Sequence, residues 1–136
     1  MKPSDQTMIR FYQQLGKVFY SIAAADNIIG KKEILKLKKI VKKEWLPLES
    51  TLTEFGDDAA YQIEIVFDWL LENDWNSLDL ISEFENFRKE HPSLFTPKTN
   101  DLILKTANAI VGSFSNENKS EMELTKELSA ILINSL

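Results

Sequence analysis

The sequence predicts an all-α fold, a compact single-domain bundle of about six to seven helices over residues 1–136. Apolar residues recur at three- and four-residue steps through most of the chain, and no stretch alternates apolar with polar long enough for a strand. Proline, glycine and short polar runs punctuate those stretches at helical intervals. The size also fits: 136 residues, 43% hydrophobic and 27% charged, can bury about two-thirds of their unfolded surface without a disulfide or metal staple.

Met8, Phe11, Leu15, Val18, Phe19 and Ile22 form one face of a first helix, which stops at Asp26, Asn27 and Gly30. A second helix turns Ile34, Leu37, Val41 and Trp45 inward and ends at Pro47, and a loop runs from Leu48 to Gly56. Asp57 or Asp58 caps a third helix with core positions Ala60, Ile63, Phe67 and Leu70, because a short acceptor side chain satisfies the first backbone donors. Ser77 caps a fourth, with Ile81, Phe84 and Phe87 inside, and it closes at His91-Pro92 because the residue before proline avoids helical angles. Thr96-Pro97 opens a fifth, which buries Ile103, Ala107, Ile110, Val111 and Phe114. Asn118 with Glu121, or Ser120 with Glu123, forms a capping box for a last helix carrying Leu124, Leu128, Ile131 and Leu132.

Zero cysteines exclude disulfide frameworks, thiolate zinc sites and cysteine nucleophiles together. The one histidine, His91, sits at a helix end, where its imidazole can cap terminal carbonyls. No glycine-rich phosphate loop is present. An enzyme is therefore not expected. The longest uncharged stretch, Thr106 to Asn116, is well short of the roughly 20 apolar residues of a membrane span. Asp5 and Arg10 stand where a signal peptide needs an apolar core, so a cytoplasmic location is expected. A net charge of −5 argues against nucleic acid as a partner. Trp45, Trp69 and Trp75 read as core or core-edge packing.

The segments beginning at Ile22 and at Ile110 share a pattern: an apolar helix end, a polar turn, then Lys-x-Glu opening another helix. Two related helical halves would leave that pattern, and so would two independently capped hairpins. At Ile22-Ala-Ala-Ala-Asp26-Asn-Ile-Ile-Gly-Lys-Lys-Glu33 the chain resembles the TerB-like family of tellurite-resistance-associated proteins. The resemblance implies a compact all-helical domain over 1–136, a tellurite or stress-response setting, and acidic residues that hold a divalent metal. Family members usually have glycine after the aspartate where this chain has Asn27, and the second half has Phe114 in place of Asp26.

Asp26 and Glu33 are also spaced like the later ligands of a calcium-binding loop, but the earlier positions, Ile22 and Ala24, offer no side-chain oxygen. What remains is a pair that weakly binds a divalent cation, calcium or magnesium, or that merely starts and caps a helix. Glu64, Asp68 and Glu72 make an acidic stripe on the third helix, either solvated or contributing to that cation site or to an anionic docking face. Seven lysines fall between 31 and 43, against Glu33 and Glu44, and Lys32, Lys36, Lys39 and Lys43 are candidates for docking an acidic protein partner, against a solvated surface as the alternative. No arginine or outward aromatic accompanies them, which disfavours nucleic acid. Two functions are carried forward: a non-catalytic TerB-like module with weak metal binding, and a metal-independent adaptor using the lysine-rich helix.

Overall fold

Ser4 opens helix α1 (Asp5–Ala23): its hydroxyl accepts from the Thr7 backbone N–H at 3.1 Å and satisfies a donor that the first turn leaves unpaired. The computed structural model describes residues 4–24, 31–48, 58–73, 78–111, 126 and 128–132, with the backbone alone at 33, 78, 79 and 111. Helix α2 (Lys31–Ile40) runs into a widened π turn, Val41–Trp45, closed by the Leu46 N–H on the Val41 carbonyl at 2.9 Å. Asp58 accepts from the Ala60 N–H at 3.0 Å and starts a 3-10 turn, Ala59–Tyr61, that leads into α3 (Gln62–Asn73). Helix α4 (Leu78–Glu90) ends where expected, before His91-Pro92. Thr96 then caps α5 (Pro97–Val111) by accepting from the Thr99 N–H at 3.2 Å. Residues 128–132 are helical as well, and no strand occurs among the described residues. The fold is all-α.

α1 lies at the centre, packed against α3, α4 and α5, while α2 leans on α5. The expected core positions within the described residues are buried, from Phe11, Leu15 and Phe19 through Ile63, Phe67 and Phe84 to Ile110 and Leu128; Met8 and Ile34 are only partly buried. The aromatic rings hold the elements in edge contacts: Phe11 on Phe95, Tyr20 on Phe67 and Tyr12 on Trp45. Burial on α1 goes beyond its apolar stripe, since Tyr12, Gly16, Tyr20 and Ser21 are also covered. Gly16 is required by the approach of α3, because a Cβ there would stand 2.7 Å from the Ile63 carbonyl oxygen.

The loop expected after Leu48, the caps Asp57 and Ser77, and positions Phe114, Asn118, Ser120, Glu121, Glu123 and Leu124 lie outside the described residues, as does Trp75. So does most of the second half of the suggested repeat.

Candidate functional site

The lysine-rich helix is anchored from below. Leu37, Val41 and Trp45 are buried, and the Trp45 indole Nε1 donates to the Thr106 hydroxyl on α5 at 3.0 Å. That hydroxyl in turn donates to the Leu102 carbonyl at 2.8 Å, so a buried polar pair is fully used. With its inner face fixed, the helix turns Lys32, Lys36, Lys39 and Lys43 outward; all four are exposed, and their 4-3-4 spacing puts them on one face. None of the four has an ion-pair partner among the described residues. Of the other lysines on this stretch, Lys38 pairs with Asp68 of α3 at 3.4 Å, while Lys31 and Lys42 are exposed and also unpaired among the described residues; Lys105 of α5 pairs with Glu44 at 3.1 Å.

At its C-terminal end the lysine face meets a pocket of about 370 Å³, lined by Lys43, Glu44 and Leu48 on one side and by Lys98, Asp101 and Lys105 of α5 on the other. Lys98 and Lys105 thus border the lysine face, Lys105 already paired with Glu44. They carry no sequence signal for this role, because they lie on a different helix and are joined to Lys43 only by folding.

The acidic stripe of α3 is no set of converging ligands. Lys38 reaches Asp68, and Glu64 is half-buried beside them. Burial pushes the Glu64 carboxyl above its ordinary value; Lys38 opposes that shift and Asp68 adds to it. Glu72 is exposed. Next to the stripe Ile65 and Trp69 are also half-exposed, so Trp69 sits at the rim, whereas Trp45 is buried in the core.

Asp26 lies outside the described residues, and Glu33 is placed by its backbone in the first turn of α2. Among the described residues no three His, Asp or Glu side chains gather as they would around a metal ion. His91 does not cap carbonyls with its imidazole. Its ring lies 4.6 Å from that of Phe87, its Nε2 is buried without a hydrogen-bond partner, and its backbone N–H closes the helix on the Phe87 and Arg88 carbonyls. No described helix is long and apolar enough to cross a membrane. Comparison of the chain with family models, curated proteins and solved structures gives no match.

Proposed function

We propose that the chain is a non-catalytic interaction module that docks an acidic protein segment on the outer face of α2. The observation that carries this reading is the row of exposed lysines, Lys32, Lys36, Lys39 and Lys43, on one face and without ion-pair partners among the described residues. Such a row attracts an acidic partner over about a Debye length, roughly 8–10 Å at moderate salt. An acidic protein suits it better than other polyanions. Leu37 and Ile40 of α2 belong to the core, and its one exposed leucine, Leu35, is too little apolar surface to insert into lipid. The helix has no arginine fork for bases. The non-catalytic character rests on the lack of cysteine and on a single histidine packed against Phe87. Titrating the isotope-labelled protein with a Glu-rich peptide should shift the amides of α2 and those around Lys98 and Lys105, and added salt should reverse it. Replacing Lys32, Lys36, Lys39 and Lys43 by Glu should abolish the shifts without unfolding the chain; binding that survives this change sinks the reading.

The segment 22–33 supports a second reading, a TerB-like stress-response setting in the cytoplasm with a calcium or magnesium ion held weakly by Asp26 and Glu33. The all-helical fold is the one the resemblance implies. A metal-dependent rise in melting temperature that disappears in the Asp26→Asn, Glu33→Gln double variant is the expected result, and its persistence there places the ion elsewhere.

A further inference from the structure

Arg88 of α4 is 5% exposed, yet its Nε and Nη2 have no hydrogen-bond partner among the described residues. An unpaired cation in such a position is strongly disfavoured, and the usual remedy is a bound counter-charge. The guanidinium lies over an aromatic ring: its Cζ is 5.8 Å from the centroid of Phe95. Nε and Nη2 make up one edge of the plane, the fork that grips both oxygens of a carboxylate. Arg88 also lines a pocket of about 310 Å³ between α4 and the helical segment 128–132, a size suited to a small ligand.

We propose that this pocket binds a small monocarboxylic acid with a short branched apolar body. Both atoms of the Nε–Nη2 edge are closed to solvent in this structure, so the carboxylate takes that edge as the Arg88 side chain turns it toward the pocket, with Ser82 and Lys89 on the same lining and the body against Ile81, Ala130 and Ile131. Glu85 decides the ligand's charge. It lines the pocket too and is paired with neither Arg88 nor Lys89 among the described residues. Among the described residues of the lining, two cations and Glu85 leave one positive charge, which a single carboxylate neutralises and a phosphate dianion overshoots. This site shares no residue with the lysine face.

The test uses sodium isovalerate, with isoamyl alcohol as its neutral analogue, inorganic phosphate as the competing anion, and a short peptide with a free C-terminus as a chain-borne carboxylate. Isovalerate at millimolar concentration should raise the melting temperature and shift the Arg88 Nε–H, Ser82 and Ile131 signals; the other three should act several-fold more weakly or not at all. Arg88→Met, which removes the unpaired charge and keeps much of the stem, should fold with an equal or higher melting temperature and lose the isovalerate response. Arg88→Lys, which keeps the charge without the fork, should bind isovalerate several-fold more weakly. The proposal is overturned if isovalerate has no effect or if its effect persists in Arg88→Met. A stronger response to phosphate or to the peptide overturns it as well. So does a melting temperature several degrees lower in Arg88→Met, which would mean that the guanidinium is paired within the chain.

Discussion

Helices α1 and α2 both begin as amphipathic segments, and they end in opposite surroundings. Every residue from Val18 to Ala23 is buried, so the last six residues of α1 have no solvent face at all. α2 covers Leu37 and Ile40, continues inward at Val41 and Trp45, and leaves its lysines in water. The difference comes from position. Three helices surround α1, whereas α2 leans on α5. The residues of α1 that stand off its apolar stripe suit being covered: the Ser21 hydroxyl donates to the Lys17 carbonyl at 2.9 Å, Tyr20 meets Phe67 edge to face, and Gly16 admits the α3 backbone. A helix's outer face is thus assigned by its neighbours, and a functional surface can form only on a helix that the bundle leaves uncovered.

The contrast is broken most directly by truncating one side chain on each helix. Phe19→Ala, in the fully covered part of α1, should cost about 3–5 kcal/mol in urea unfolding. Leu35→Ala, at 66% exposure on α2, should change stability by no more than about 0.5 kcal/mol. Equal losses would remove the distinction. Gly16→Ala probes the same difference at the backbone: a Cβ against Ile63 should cost about 1–3 kcal/mol, read as a lower unfolding midpoint, and an unchanged midpoint would mean that α1 and α3 stand further apart.

The anchoring of α2 is sharpened by Thr106→Val. It keeps the shape and leaves the Trp45 N–H without its acceptor, at about 1–3 kcal/mol, with faster hydrogen exchange at the indole. The smallest effect belongs to Glu64. Because burial raises its carboxyl pKa in the fold, its contribution to stability is fully present below the ordinary value of 4.5 and fades as pH rises through the raised value. Glu64→Gln should therefore gain slightly on the parent between about pH 4 and 7, measured as the difference in melting temperature. A difference that runs the other way would mean that Lys38 outweighs burial.

Much of the fold was legible in residue spacing. Positions such as Phe11, Leu15, Ile63, Phe84 and Ile103 recur at helical steps, and each is buried because the transfer of apolar area out of water is indifferent to which neighbour does the covering. The end of α4 and the start of α5 were legible for a local reason, proline's fixed angle and missing donor. The lysine face was legible as well, since exposed charge needs no partner to stay exposed.

Position within the bundle was not legible. Ser21, Tyr20 and Gly16 look like ordinary residues of a solvent face, and only the arrival of α3, α4 and α5 makes them interior. Arg88 sits in sequence like any surface arginine near a helix C-terminus, and the tertiary structure buries it over Phe95 beside a pocket. Lys98 and Lys105 join Lys43 only across the contact of α2 with α5. The sequence by itself determined which apolar positions leave water, where α4 stops and where α5 starts, because these depend on a side chain and its near neighbours along the chain. Which helix lies at the centre, which charge goes under and which lysines share a surface depend on contacts between distant segments, and these exist only once the bundle has formed.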